Sequence, residues 1–237
     1  MSVVYLNGEY LPVEQARVSV LDRGFTFADA VYEVIPVYNK HIFRLQEHLD
    51  RLNNSLSEIS IDRPLSDSRW RDIFFEILKK NNTESDQSLY IQVTRGVSER
   101  EHLHNGDLKP TVLVMCRPMK PTEDNKGISV ITHEDIRWKY CHIKTTALLA
   151  NVLLKQIARR ADASEAILIR NGLITEGAAS NVFVVKDATV ITPPKDGNVL
   201  PGITRDLIVE LLQAEGVPCF EQNLTLRELK DADEVWL

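Results

Sequence analysis

The sequence has little of what marks a membrane, nucleic-acid-binding or disulfide-linked protein. No apolar run approaches the ~20 residues that a membrane-spanning helix needs. No basic block stands out, and Asp plus Glu outnumber Lys plus Arg by 34 to 28, so the electrostatic footprint of nucleic-acid binding is missing. Three cysteines, Cys116, Cys141 and Cys219, are an odd number without metal-ligand spacing. This pattern favours reduced thiols in the cytoplasm, with Cys141 as a buried structural thiol, and no metal site.

The chain also lacks a charged leader followed by an apolar segment, internal repeats and low-complexity tracts. Its first residues therefore predict the opening strand of a fold rather than a signal peptide. What is present is an ordinary globular composition, 43% hydrophobic and 26% charged over 237 residues. A chain of this length can bury one large core or two modest ones.

Strand patterns and helix patterns alternate along the sequence, which predicts an α/β (α+β) protein with mixed sheets and packed helices. Leucine and isoleucine recur at three- and four-residue steps from Leu45 to Ile59, as an amphipathic helix requires. The predicted helices span residues 45–59, 66–80, 145–160 and 203–215. The predicted strands span residues 3–6, 9–12, 31–38, 41–44, 89–94, 111–116, 128–132, 166–170, 173–175, 182–185, 189–192 and 234–237. Asn7-Gly8 and Asn171-Gly172 predict tight hairpin turns between the strands that flank them. Residues 234–237 have the pattern of the middle of a buried strand, and either this strand ends at a surface or the molecule has been shortened.

A proline-rich, charged and aperiodic segment at residues 118–127 is the predicted interdomain linker. It would separate a smaller N-terminal α/β domain at residues 1–117 from a larger C-terminal domain at residues 128–237.

Lys144 stands out because it lies at a predicted strand–helix junction, in the segment IRWKYCHIKTTALL at residues 136–149. The run that follows it is almost wholly apolar or small. An ammonium group held there would be partly desolvated, which lowers its pKa and makes the neutral amine available as a nucleophile or Schiff-base former.

Two downstream features complement Lys144. A pyridine-type cofactor with an aldehyde and a phosphate needs an amine, an anion beside the ring nitrogen and a phosphate-binding turn. Glu176, in Thr175-Glu176-Gly177, can supply the anion, and Gly202-Ile203-Thr204 can supply backbone N–H groups at a helix N-terminus. Taken singly, Glu176 could be a solvated turn residue and Gly202-Ile203-Thr204 a plain helix cap.

With EHLDRL at residues 47–52, these motifs resemble those of the fold-type IV pyridoxal-phosphate enzymes. That family includes D-amino-acid aminotransferase, branched-chain aminotransferase and aminodeoxychorismate lyase. The resemblance covers residues 5–237, nearly the whole chain. It implies the two-domain fold of the family, with the cofactor at the domain interface.

The resemblance also implies which residues hold pyridoxal 5′-phosphate. Lys144 would be the Schiff-base lysine and Glu176 the partner of the pyridine nitrogen, while Arg51, Ile203 and Thr204 would bind the phosphate. Arg51 suits this role because a guanidinium makes bidentate phosphate contacts, although by itself it could be an exposed helix arginine.

Two further segments resemble the D-amino-acid aminotransferase branch: DRGFTFADAVYE at residues 22–33 and TRGVSEREH at residues 94–102. By this resemblance, Arg100 and His102 bind the substrate α-carboxylate, assisted by the Tyr32 hydroxyl. A guanidinium and an imidazole donor converge well on a carboxylate. A solvated polar loop is the alternative for Arg100 and His102.

The implied activity is a transaminase that exchanges amino groups between D-amino acids such as D-alanine and 2-oxo acids such as 2-oxoglutarate. Its partners would be these small molecules and a second copy of the chain, with no nucleic acid and no membrane. The alternatives are an aminodeoxychorismate lyase, a branched-chain L-amino-acid aminotransferase, or an inactive or truncated cofactor-binding protein. The last alternative rests on the family pattern, which continues past Leu237 with a threonine- and serine-bearing turn that helps to hold the phosphate. Ala178-Ala179-Ser180 also stands where the family has a more serine-rich run.

Overall fold

A computed structural model describes residues 2–104, 106, 108–119 and 127–237. The chain divides into two compact units, the first made of Met1–Thr122 with Ile143–Ala147 and the second of Glu123–His142 with Leu148–Leu237. Most of the predicted linker, residues 120–126, lies outside the described residues, so the domain bounds proposed from the sequence stay a prediction.

The described residues contain six α-helices and a short 3-10 turn at Val13–Gln15. None of these helices is long and apolar enough to cross a membrane. The α-helices are α1 (Arg23–Phe27), α2 (Leu45–Glu58), α3 (Asp67–Lys80), α4 (Leu149–Arg160), α5 (Ile203–Ala214) and α6 (Leu226–Lys230).

The first unit contains a six-stranded antiparallel sheet. Its strands in chain order are β1 (Val3–Leu6), β2 (Glu9–Pro12), β3 (Ala30–Tyr38), β4 (His41–Ile42), β5 (Gln87–Thr94) and β6 (Thr111–Pro118). Their order across the sheet is β2-β1-β6-β5-β3-β4. Asn7 and Gly8 both have positive φ between β1 and β2, which confirms the predicted tight hairpin.

Helices α2 and α3 lie against this sheet and close its core. Leucines at helical spacing on α2 meet Trp70 and Phe74 of α3, all of them buried, together with Ile35 and Leu89 of the sheet. Ser66 begins α3 by accepting a hydrogen bond from the Arg69 amide. The predicted helices at residues 45–59 and 66–80 are therefore confirmed to within one residue at each end.

The second unit contains a three-stranded and a four-stranded sheet. The first has the order β7 (Val130–Glu134), β8 (Glu165–Arg170) and β9 (Leu173–Gly177), with β7 parallel to β8. The second has the order β12 (Cys219–Glu221), β11 (Thr189–Thr192), β10 (Phe183–Lys186) and β13 (Glu234–Trp236).

Helix α4 packs on β7 and β8 through the buried side chains of Leu154 and Ala158. A second cluster joins β8 and β9 to β10 through Ile167, Ile174 and Val184. β13 pairs with β10 at one edge of its sheet, and its three residues are exposed. The strand is therefore not buried as its pattern suggested, and the predicted alternative of a strand at a surface agrees with the structure.

The predicted helix at residues 145–160 begins later than expected. Residues 144–146 run beside β3, where Tyr32 N donates to Lys144 O at 3.0 Å and Thr146 N donates to Ala30 O at 3.0 Å. These strand-like bonds use backbone groups that a helix would need, and α4 begins only at Leu149. The apolar and small residues after Lys144 therefore reflect packing along a strand rather than the first turn of a helix.

Candidate active site

Lys144 lies in the first unit, on the short segment beside β3. Its amide donates to Ser55 Oγ of α2 at 3.2 Å, and Thr145 forms a bridge with Val31. The backbone of Lys144 is thus held from both sides by bonds to α2 and β3. Lys144 is half-buried, which agrees with the partial desolvation predicted for this position.

Tyr32 lies directly beside the Lys144 amine. The Lys144 Nζ atom is 3.4 Å from the Tyr32 hydroxyl and 4.4 Å from the centre of its ring. Tyr32 stacks in turn on Tyr90, with ring centres 5.8 Å apart. The hydroxyl and the ring face together restrict where the lysine amine can lie.

Arg51 is buried on α2 and is not the exposed helix arginine that the sequence left as an alternative. Its Nε and Nη2 donate to the two oxygens of Glu33 at 2.7 and 2.8 Å. His48 Nδ1 lies 2.8 Å from Glu33 Oε2. This paired contact sets the plane of the guanidinium, which is what a phosphate-binding arginine requires.

In the second unit, Glu176 is a buried residue of β9 and not a solvated turn residue. Its Oε1 pairs with Arg137 Nη1, and its Oε2 accepts from Asn181 Nδ2 at 2.9 Å and from Leu200 N at 3.0 Å. Burial raises the pKa of Glu176 to about 7, although the charge of Arg137 and the hydrogen bond from the Leu200 N–H act to lower it. A positive charge brought beside this carboxyl would favour its ionised form.

The N-terminus of α5 follows Gly202, and no side chain caps it. The amides of the first turn, which include those of Ile203 and Thr204, are N–H donors of the kind that an anion accepts at a helix N-terminus. A Cβ at Gly202 would overlap Asn181 Oδ1, so a larger residue at this position requires the Asn181 side chain to move.

The two residues predicted to bind a carboxylate, Arg100 and His102, lie in the first unit on an exposed loop after β5. The structure brings them together around Phe27. The Arg100 guanidinium carbon is 5.4 Å from the centre of the Phe27 ring, and the His102 ring centre is 5.5 Å from it. Tyr32, which is predicted to assist them, lies beside the Lys144 amine.

The described groups match what pyridoxal phosphate requires from a protein. The first unit offers an amine beside a tyrosine hydroxyl and an arginine with a fixed plane. The second unit offers a buried carboxylate and an uncapped helix N-terminus. This is the donor set for an aldehyde, a phosphate and a ring nitrogen.

Comparison with known proteins identifies the family. The amino-transferase class IV profile matches residues 30–237 of the chain. The chain belongs to this family. The resemblance to fold-type IV enzymes, the α/β fold and the aminotransferase activity predicted from the motifs are therefore confirmed.

Relatives within the family point to two groups of aminotransferases. D-alanine aminotransferase of Bacillus licheniformis is 42% identical over 99% of this chain and 83% of its own length. The structure of branched-chain amino acid aminotransferase from Escherichia coli superimposes with a TM-score of 0.93, at 28% identity, over 99% of this chain and 81% of that protein. A branched-chain aminotransferase from the thermophilic archaeon Thermoproteus uzoniensis, solved with norvaline, has a TM-score of 0.90 at 26% identity over 99% and 82% of the two chains.

Four residues that were not predicted as site residues hold the side chains of predicted ones. Arg137 and Asn181 hold Glu176, and Glu33 and His48 hold Arg51. Three of these four residues lie in motif segments of the sequence: Arg137 in residues 136–149, Glu33 in residues 22–33 and His48 in residues 47–52. Their roles depend on contacts that spacing does not reveal.

Proposed function

We propose that the chain is a pyridoxal-phosphate-dependent transaminase that exchanges amino groups between D-amino acids such as D-alanine and 2-oxo acids such as 2-oxoglutarate. The proposal of a transamination rests on the position of the Lys144 amine, which lies 3.4 Å from the Tyr32 hydroxyl. The 42% identity to a D-alanine aminotransferase supports the substrate.

Lys144 binds the cofactor aldehyde through Nζ and, once released, accepts the proton from the substrate Cα at that same atom. Tyr32 keeps the amine in place through its hydroxyl and ring. When bound, pyridoxal phosphate supplies a ring that accepts the electron pair left by the Cα–H bond.

The carboxylate of Glu176 keeps the ring nitrogen protonated, because a buried negative charge favours a positive charge beside it. Arg51 and the N–H groups of Ile203 and Thr204 bind the phosphate. Arg100 and His102 bind the substrate α-carboxylate as charge-assisted donors, and their placement around one aromatic ring supports this role.

The protein is further proposed to be a cytoplasmic homodimer in which the carboxylate-binding loop reaches the site of the second copy. Exposed apolar side chains near that loop, Val20, Phe25 and Leu103, support an interface. The three cysteines are free, in keeping with a reducing compartment. Light scattering tests the dimer, and a monomeric mass would contradict it.

The cofactor assignment is tested by absorption spectroscopy of the purified protein after incubation with pyridoxal phosphate. We expect a band at the edge of the visible range in the wild type and its loss in Lys144→Ala. Lys155→Ala is the matched control, because Lys155 is half-exposed on α4 and pairs with Glu165 and the Ser164 carbonyl. A wild-type protein without the band, or Lys144→Ala with it, would contradict the assignment.

The substrate assignment is tested with D-alanine and 2-oxoglutarate, for which we expect pyruvate. L-leucine and L-valine are assayed in parallel, because the branched-chain aminotransferases of the structural comparison favour an L-specific alternative. Faster turnover of these L-amino acids than of D-alanine would contradict the proposal. Pyruvate from aminodeoxychorismate, with none from D-alanine, would indicate the lyase.

A further inference from the structure

Arg23 is a buried arginine whose side chain holds the loop that carries Arg100 and His102. It lies at the start of α1 and is 5% exposed. Its Nη1 donates to the Glu101 carbonyl at 2.7 Å, and its Nη2 donates to the His102 carbonyl at 3.1 Å.

The same guanidinium is fixed from its other side. Arg23 Nε donates to Asp29 Oδ2 at 2.9 Å, and Nη1 lies 3.4 Å from Ser98 Oγ. The Arg23 amide donates to the Gly96 carbonyl at 2.8 Å. One residue therefore contacts the loop near its beginning and at the two carbonyls that follow Arg100.

These bonds matter because the loop has little other burial. The residues from 99 to 104 are all exposed, whereas Arg23 is buried. A buried guanidinium must be paired, so its donors dictate where the carbonyls of Glu101 and His102 lie. The direction of the His102 and Arg100 side chains follows from that backbone.

Phe27 joins Arg23 to both residues. The Arg23 guanidinium carbon is 4.7 Å from the centre of the Phe27 ring, and Arg100 and His102 pack against the same ring. Cation–π contacts of this kind hold two cationic groups near one aromatic ring without direct pairing. Arg23 and Phe27 thus form a support on which the loop rests.

We propose that Arg23 is a positioning residue that sets the orientation of Arg100 and His102 towards a substrate carboxylate. The inference rests on the proposed function, in which those two residues bind the α-carboxylate. Arg23 does not contact the substrate in this scheme and acts through the loop backbone and Phe27.

Arg95 provides a matched control within the same cluster. It pairs with the same carboxylate, Asp29, at 2.8 and 3.0 Å. Its remaining bonds run to the Ile59 and Ser60 carbonyls and not to the loop carbonyls that Arg23 holds. Replacing Arg95 removes a comparable ion pair but leaves the support of the loop in place.

The test measures KM and kcat for D-alanine, and KM for 2-oxoglutarate, in the cofactor-loaded enzyme. We expect Arg23→Gln to raise both KM values by about tenfold, with kcat within about threefold of wild type and an unchanged cofactor absorption band. Arg23→Lys keeps the charge and part of the hydrogen bonding, so its KM values should lie between those of wild type and Arg23→Gln. Arg95→Gln should lower the melting temperature and leave KM within about twofold of wild type.

Each other outcome overturns the inference. Unchanged KM values in Arg23→Gln, loss of the absorption band together with kcat, or an equal rise of KM in Arg95→Gln would show a merely structural role. If Arg23→Gln does not fold, Arg23→Lys and Phe27→Leu decide by the same KM criterion.

Arg100→Ala separates this inference from the proposed function. A KM that Arg100→Ala leaves unchanged would remove the carboxylate role itself. A KM that rises in Arg100→Ala but not in the Arg23 variants would contradict the positioning role alone.

Discussion

Glu33 and Arg51 form a buried, two-point ion pair between β3 and α2, with donor–acceptor distances of 2.7 and 2.8 Å. Burial alone would raise the pKa of Glu33, but hydrogen bonds from Arg51 and His48 and the charge of Arg51 outweigh it and hold that pKa below its usual range. The carboxylate is therefore ionised at neutral pH and keeps Arg51 in one orientation. The phosphate binding proposed for Arg51 would in this way depend on the core of the first unit.

The first prediction concerns the loss of this pair. Glu33→Gln should lower the free energy of unfolding by about 3 kcal/mol, because it leaves the buried Arg51 charge without its counter-charge. Denaturant titration of wild type and variant measures the change. The ionised Glu33 carboxylate contributes fully to stability above its unfolded-state pKa of 4.5. The difference in unfolding free energy between wild type and variant should therefore shrink as the pH falls through the lower pKa of Glu33 in the folded state.

Glu47→Gln is the control for this measurement. Glu47 also lies on α2, but it is half exposed and its partner Arg44 is 3.7 Å away. Such a surface pair contributes at most about 1 kcal/mol. Equal losses in the two variants would mean that Glu33 does not act through a buried pair.

A second prediction follows from the raised pKa of Glu176. Because burial raises that pKa from 4.5 to about 7, the contribution of Glu176 to stability is complete below 4.5 and is lost as the pH rises through about 7. In cofactor-free protein, the unfolding free energy of wild type relative to Glu176→Gln should therefore fall by about 3 kcal/mol across this range. A pH series of denaturant titrations measures it.

Asp135→Asn serves as the comparison, since Asp135 also pairs with Arg137. Burial would raise its pKa, but the hydrogen bonds and charge of Arg137 outweigh this and lower it from 3.8. The difference in unfolding free energy between wild type and Asp135→Asn should therefore stay constant over the pH range in which the difference between wild type and Glu176→Gln falls. A flat Glu176→Gln curve over the same range would contradict the prediction.

The third prediction concerns Gly202. In Gly202→Ala the new Cβ displaces Asn181, whose Nδ2 donates to Glu176 Oε2 at 2.9 Å and to the Leu200 carbonyl at 3.0 Å. We expect the affinity for pyridoxal phosphate to fall by about tenfold and stability to fall by about 1–3 kcal/mol, as is usual for an overpacked site. Cofactor titration by absorbance measures the first and denaturant titration the second.

Gly127→Ala is a suitable control, because no atom of the described residues lies within 4 Å of a Cβ placed there. Its cofactor affinity should equal that of wild type. A Gly202→Ala protein with wild-type affinity would show that the start of α5 tolerates a side chain and does not depend on Asn181.

Most regular elements could be predicted because their signals are local. The hairpin at Asn171-Gly172 and the helix that begins at Ile203 follow from turn residues and apolar spacing within a few positions. The prediction of a helix directly after Lys144 is wrong, because the apolar residues there suit either a helix or a strand. Only hydrogen bonds to Ala30 and Tyr32, more than a hundred residues away, decide between them.

By itself, the sequence determined the family and named the groups of the candidate site, because Lys144, Glu176 and the other motifs occur together in the order that the family shows, although each motif alone is ambiguous. The tertiary structure decided how those groups are held. Arg51 is oriented by Glu33, Glu176 by Arg137, and the loop at residues 98–102 by Arg23. These pairs join residues 18, 39 and 78 positions apart. Their partners are chosen by burial, since a charge removed from water must find a counter-charge or hydrogen bonds wherever the fold brings one near.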